Sequence, residues 1–138
     1  MIKNVILGEE IVISTKNKVG LLADISTMLS NHGINVESAL GYQAGGNAKL
    51  MLVTSANITI VDELRKKKKY ASVKETEVVL VDIENKPGAL KVVTTQLREA
   101  KIDIKYLYVT SCSPGTSSKM VIQTSDNEAA MAALLKLV

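Results

Sequence analysis

Apolar positions along this chain switch between two periods, and the order of the switches is itself repeated. Ile11-Val12-Ile13 reads as a short buried strand. Leu21, Leu22, Ile25, Met28 and Leu29 follow at i, i+1, i+4, i+7 and i+8, which predicts one face of a helix. Gly33 is placed to close that helix in a left-handed cap, with His32 in its last turn. Ile34, Val36, Ser38 and Leu40 then alternate with Asn35, Glu37 and Ala39, so a strand begins, and Gly45-Gly46 marks a hairpin. Leu50 to Val53 is the next strand, Val61 and Leu64 lie on a second helix that runs out in lysines, and Ala71 to Thr76 is a short polar strand.

The same plan then returns. Val78 to Ile83 is a strand, and Leu90, Val93, Leu97 and Ala100 form a helix face. Ile102, Ile104, Tyr106 and Tyr108 are expected on one strand face. Ser113 to Thr116 is a turn, and Met120 to Ile122 is a strand. Ser125 with Glu128 has the spacing of a capping box for a last helix carrying Met131, Leu134 and Leu135. The residues themselves recur: Asn17-Lys18-Val19-Gly20-Leu21-Leu22 becomes Asn85-Lys86-Pro87-Gly88-Ala89-Leu90, an offset of 68 (85 − 17). Farther on, Thr54, Ser55 and Asn57 become Thr124, Ser125 and Asn127 at an offset of 70 (127 − 57), so the second copy has two extra residues in a loop.

The expected fold class is α+β: two ferredoxin-like βαββαβ units in tandem, with antiparallel sheets and helices on one face. The units are expected at residues 9–76 and 77–138. The second lacks a final strand before Val138. Carrying the register past the C-terminus sets Val5 opposite Val73 and Glu9 opposite Glu77, so residues 1–8 are expected to supply that fourth strand. The alternative is that Ile2 to Leu7 only lengthens the first strand.

Composition narrows the function classes. The chain has 138 residues and no Phe or Trp, so its core must be built from Ile, Val, Leu, Met and Ala. The net charge of +3 is local, because Arg65 to Lys69 supplies more than the excess. Such a run can bind nucleic acid, but only Tyr70 stands beside it for stacking, and a solvated helix end near the C-terminal dipole is the simpler reading. No nucleic-acid partner is expected. Cys112 is the only cysteine, which rules out an intramolecular disulfide, suits a reducing cytosol and reads as a free thiol. No apolar run approaches the roughly 20 residues that span a membrane, and Met1 to Leu7 is too short for a secretory signal, so a cytoplasmic location without membrane association is expected.

Candidate chemistry is sparse. His32 has no second histidine for a metal pair, and no carboxylate at helical spacing orients it. Gly41 to Gly46 is not a phosphate loop, because Asn47 stands where its lysine belongs. Asp24 falls at a polar position of its helix, and Tyr106 and Tyr108 read as core. No nucleophile, base and oxyanion donor come together, so neither catalysis nor a metal or cofactor is expected. What recurs is the joint between first strand and first helix. Its glycine lets the backbone approach closely, and the free N–H groups of the helix start suit a carboxylate. The Asn17 or Asn85 amide can both donate and accept. A group with a carboxylate and an ammonium, such as an amino acid, fits this joint; the same residues also make a tight turn with no ligand.

Residues 12–36, with NKVGLLADISTMLSNHGINV, resemble the start of an ACT domain, and residues 79–108, with ENKPGALKVVTTQLREAKIDIKYLY, resemble a second. The likeness is to stand-alone tandem ACT proteins, and it covers nearly the whole chain. It implies a non-catalytic regulatory protein that binds an amino acid between two units. By position, the resemblance puts Asn17, Val19, Gly20, Leu21 and Leu22 at one loop, and Asn85, Pro87, Gly88, Ala89 and Leu90 at the other. It adds Asn35 and Asp103 from the starts of the second strands, each serving a neighbouring unit. Val19 departs from the usual proline, and Asp103 adds a charge where asparagine is usual, so the two sites are expected to differ. Exposed sheet edges lead us to expect a homodimer, and a regulatory subunit with a separate target enzyme is a further alternative. The alternative function is a ferredoxin-like enzyme or a nucleic-acid-binding adaptor.

Overall fold

The computed structural model describes residues 1–138 and resolves the two periods into ten elements. These are β1 (Ile2–Lys16), α1 (Leu21–Asn31), β2 (Val36–Ala44), β3 (Asn47–Thr54), α2 (Asn57–Lys67), β4 (Ser72–Glu84), α3 (Ala89–Glu99), β5 (Ile104–Thr110), β6 (Ser117–Thr124) and α4 (Asn127–Leu135). The fold is α+β, with two ferredoxin-like βαββαβ units in tandem. The chain divides into two compact units, one of Glu9–Thr76 and one of Met1–Gly8 with Glu77–Val138.

In the Glu9–Thr76 unit the strand order is β2-β3-β1-β4. β1 pairs antiparallel with β3, setting Ile11 against Leu52 and Ile13 against Leu50, and β3 pairs antiparallel with β2. Those four side chains join Ile25, Leu29, Ile60 and Leu64 in one buried cluster. The helices thus cover one face of the sheet, and each fully buried aliphatic side chain contributes about 1.5–3 kcal/mol. The alternate β3 residues Met51 and Val53, on the opposite face, are buried as well.

In the other unit the order is β1-β4-β6-β5. β4 pairs antiparallel with β6, with Val79 against Ile122 and Val81 against Met120, which are the repeat positions of the first unit's core pairs. Ile2 and Val5 lie in the same buried cluster as Val93, Leu97, Ala130 and Leu134.

Several local expectations change. The segments Ile2 to Leu7 and Ile11 to Ile13 join in one strand, β1, and Ala71 to Thr76 and Val78 to Ile83 fall together in β4 apart from Ala71. Gly8 is extended strand within β1, and a Cβ there would stand 2.5 Å from Leu80 Cδ1, so close approach explains its glycine. Leu22 and Leu90 leave the helix faces assigned to them and are 53% and 49% exposed. Ile104 and Tyr106 do not share a strand face, because the β5–β6 register shifts between them. That bulge puts Ile104 and Leu107 on the core side and sends Tyr106 and Tyr108 to the other. β2 has the same shift between Val36 and Ser38, at the corresponding repeat position. Finally, the cap of α4 is Asp126, whose carboxylate accepts from Ala129 N at 3.1 Å. Ser125 instead accepts from Asp103 N at 3.2 Å.

Candidate functional site

The joint between first strand and first helix has one geometry in both units. Leu21 N donates to Lys18 O at 3.3 Å, and Ala89 N donates to Lys86 O at 3.2 Å. Gly20 (φ 87°, ψ 0°) and Gly88 (φ 90°, ψ −12°) hold the third place of these four-residue turns. Those angles are the left-handed corner of a type II turn, which favours proline before the glycine and glycine itself there. Pro87-Gly88 meets both preferences, whereas Val19-Gly20 meets only the second. Each turn is pinned to the neighbouring hairpin: Asn17 N donates to Gly46 O at 2.9 Å, and Asn85 N to Thr116 O at 2.8 Å.

Beside the first turn opens a groove of about 280 Å³ lined by Asn17, Lys18, Gly20, Leu21 and Leu22, together with Gly41, Tyr42, Ala48 and Leu50. It joins the polar start of α1, where backbone N–H groups are free, to an apolar wall from β2 and β3. The structure therefore brings Asn17, Gly20, Leu21 and Leu22 together. Val19 is fully exposed at the tip of the turn and lies outside the groove lining. Asn35 is outside it too. It stands just before β2, exchanging its backbone with Ser55: Ser55 N donates to Asn35 O at 3.0 Å and Asn35 N to Ser55 Oγ at 3.0 Å. Six residue steps along the strand separate it from Gly41, or about 20 Å. Asp103 makes the same exchange with Ser125, Ser125 N donating to Asp103 O at 2.9 Å.

Gly41, Tyr42 and Leu50 are lining residues that the sequence reading passed over. Gly41 carried a signal, being a glycine inside a strand. A Cβ there would come 2.9 Å from Leu50 Cδ2, so the strand is bare at that point for packing. Gly41 leaves a backbone-walled floor beside the exposed Tyr42.

The second loop differs in its charges and its cover. Pro87 and Leu90 are exposed, and Ala89 is buried. Lys86 Nζ pairs with Glu84 at 2.8 Å, and the Met1 amino group stands 3.8 Å from the same carboxylate. The Lys86 contact holds the Glu84 carboxyl below its usual range. A Cβ on Gly88 would meet Met1 Cε at 3.6 Å, whereas the space around Gly20 is open. The position of Glu84 is held by Lys16 in the first loop.

Behind α1, His32 has a carboxylate partner that helical spacing did not reveal. Its Nε2 lies 3.7 Å from Glu63 on α2, and its Nδ1 is 2.8 Å from Met28 O. Arg65 is more than a solvated helix end, since its guanidinium donates twice to Val73 O, at 3.1 and 2.9 Å. Tyr70 carries a buried hydroxyl with no hydrogen-bond partner, an arrangement that costs about 1–3 kcal/mol. Burial first, and then the Asp24 carboxylate, push its pKa upward. No group of three His, Cys, Asp or Glu side chains converges as a metal site, and no helix is long and apolar enough to cross a membrane.

The family model of the ACT domain matches residues 10–69. No curated protein is significantly similar to the chain. Among solved structures, protein BT0572 from Bacteroides thetaiotaomicron superimposes with a TM-score of 0.86 at 22% identity, covering 98% of this chain and 91% of that one. The aspartokinase alpha and beta subunits superimpose with a TM-score of 0.64 at 16% identity, covering 99% of this chain and 97% of theirs. The ligand-free regulatory subunit of aspartate kinase from Thermus thermophilus gives 0.62 at 12% identity, covering 98% and 97%. At these identities the shared property is the fold.

Proposed function

We propose that this chain is a regulatory protein of two ACT units that binds an amino acid and has no catalysis of its own. The observation that carries the reading is the groove beside the Lys18–Leu21 turn, in the unit where the ACT model matches. An amino acid has two needs there. Its carboxylate takes the free N–H groups at the start of α1 and the Asn17 amide, and its side chain takes the wall of Leu22 and Leu50. The aspartokinase subunits of the same fold, one of them a regulatory subunit of aspartate kinase, support a regulatory role, and a separate target enzyme follows from it.

The site is completed by a second copy. Asn35 lies about 20 Å along β2 from the groove, and β2 is an edge strand with Tyr42 exposed on it. Antiparallel pairing of two β2 edges sets the start of one strand beside the end of the other, which delivers Asn35 to its partner's groove. The protein is then a homodimer, and ligand bound at the seam shifts association by its preference for the paired state. The second loop takes the same part in its own unit, with Asn85, Gly88, Leu90 and Asp103. There Asp103 disfavours a ligand carboxylate, so the first loop binds more tightly. Residues 1–8 complete the sheet of the second unit as its fourth strand. The single cysteine and the absence of a membrane-length apolar run fit a cytoplasmic location.

A thermal-shift panel of the twenty amino acids, followed by calorimetry and sedimentation, tests this reading. One amino acid or a related few should raise the melting temperature and favour the dimer. Leu22→Glu places a charge on an exposed groove residue and spares the core. It should weaken that ligand at least tenfold, the equivalent of about 1.4 kcal/mol. Calorimetry silent at millimolar concentrations for all twenty would sink the proposal.

A further inference from the structure

The loop that faces the groove on one side faces a second concavity on the other. This pocket, about 220 Å³, shares Asn17, Lys18 and Leu21 with the groove but none of its β2 or β3 wall. Its remaining lining is Thr15, Lys16, Asp24, Lys69 and Tyr70. Three lysines therefore surround one aspartate. Lys18 Nζ neutralises that aspartate, at 3.7 Å from Asp24 Oδ2, which leaves the Lys16 and Lys69 ammoniums with no counter-charge in the pocket. The N-terminus of α1 adds its partial positive charge. The Tyr70 hydroxyl is buried and unpaired, and burial together with Asp24 keeps it protonated and able to donate.

The repeat supplies an internal control. At the matching positions of the second unit Lys16 becomes Glu84, Asp24 becomes Val92, and Lys69 and Tyr70 become Met1 and Ile2. The same turn, helix start and sheet form there with none of these four residues. The fold does not require the lysines or the tyrosine, so their convergence in one unit calls for another explanation.

We infer that this pocket binds a small dianionic oxyanion, a phosphoryl group, held by Lys16, Lys69, Tyr70 and the Asn17 amide. A phosphoryl group carries about −1.5 to −2 charge at pH 7, which matches the formal excess of two lysines over the paired Lys18–Asp24. Its oxygens accept from several donors at one centre, as a pocket of this size demands; a dicarboxylate spreads its two charges over separate centres. An adjoining pocket of about 340 Å³ shares Asp24, Lys69 and Tyr70 and adds Asn31, His32 and Glu63. That polar extension has room for the body of a phosphate monoester. This site adjoins the amino-acid groove and shares the Asn17 amide and the start of α1 with it, but it uses neither Leu22 nor the β2 edge.

Inorganic phosphate is the probe, titrated at low ionic strength by calorimetry and by amide shifts of the labelled protein, with succinate as a second arm. Saturable phosphate binding is expected, with shifts concentrated at residues 15–18 and 69–70. Lys69→Ala and Tyr70→Phe should each weaken it about tenfold, the loss expected of one charge-assisted hydrogen bond. Lys91→Ala, an exposed lysine on α3, removes the same charge elsewhere and should leave binding unchanged. The inference falls if phosphate gives no saturable signal, if Lys69→Ala and Lys91→Ala weaken binding equally, or if succinate binds more tightly than phosphate. An amino-acid panel that fails while phosphate binds at these residues leaves this site standing.

Discussion

Gly20 and Val19 show how little one turn leaves to chance and how much of it can be read. A side chain at φ 87° is strained whatever the space around it, and the space around Gly20 is open, so strain is the whole effect of adding a methyl group there. Gly20→Ala should lower unfolding stability by about 1 kcal/mol, as left-handed backbone does for an L-residue. Val19→Pro should act the other way and add about 0.4–1 kcal/mol, because proline pre-sets the dihedral that position needs and narrows the unfolded ensemble. The second unit has already made that choice with Pro87. Urea unfolding of both variants checks the pair; stabilisation by Gly20→Ala, or loss from Val19→Pro, would mean that the turn is not held as described. Pro87-Gly88 spelled out this turn in sequence, and the repeat register passed the reading to Val19-Gly20. Tyr70 was not legible in the same way. Nothing in a run of lysines shows that the tyrosine after it will bury its hydroxyl beside Asp24, since that depends on where α2 ends relative to α1.

Each third strand is joined to the helix that follows it by one asparagine. Asn57 Oδ1 accepts from Thr54 N at 2.9 Å and from Thr54 Oγ1 at 2.6 Å, while its amide nitrogen donates to Glu9 O at 2.9 Å. Asn127 repeats this with Thr124 N at 3.0 Å, Thr124 Oγ1 at 2.8 Å and Glu77 O at 3.0 Å. Thr54 and Thr124 are buried, so losing the acceptor strands their donors. Asn127→Ala should therefore destabilise by about 1–3 kcal/mol, and Asn127→Asp should recover part of that through its remaining oxygens. Thermal unfolding of the two variants decides it, and an alanine variant as stable as the parent would remove the junction from any structural role. The recurrence of Thr54-Ser55-Asn57 as Thr124-Ser125-Asn127 had marked this junction in sequence without saying why. Strand faces were harder to read. Alternation carried Ile104 and Tyr106 to one side, and the extra residue at Lys105 reversed the phase. A bulge is a decision of hydrogen-bond register, and period-two counting does not register it. Leu22 and Leu90 failed for the converse reason: they satisfy the helical period but lie one position beyond the core-facing arc.

At the scale of the whole chain, the offset of the repeat carried more than composition did. It located two units from one sequence with no Phe or Trp to mark a core, and it left one strand position empty at the end. What it did not carry was continuity, because β1 and β4 pass from one compact unit to the other without a break that composition could announce. Ile2 and Val5 are 5% and 4% exposed and belong to the cluster built on Val93, Leu97 and Leu134. Glu84 N donates to Met1 O at 2.9 Å, so the backbone of the first residues is also engaged within that unit. Deleting Ile2–Gly8 removes two buried aliphatic side chains, each worth about 1.5–3 kcal/mol, from a cluster of modest size. A loss of several kcal/mol is a large part of the 5–15 kcal/mol that ordinarily separates folded from unfolded chains. The cluster of the Glu9–Thr76 unit contains neither residue, so its own core is left intact. Hydrogen exchange of the truncated protein should show protection falling first in residues 77–84 and 117–124, with residues 47–54 holding longer, alongside a lower melting temperature. Uniform loss across both units would mean that they unfold as one. An unchanged melting temperature with full protection at 77–84 would overturn the assignment of residues 1–8 as a fourth strand.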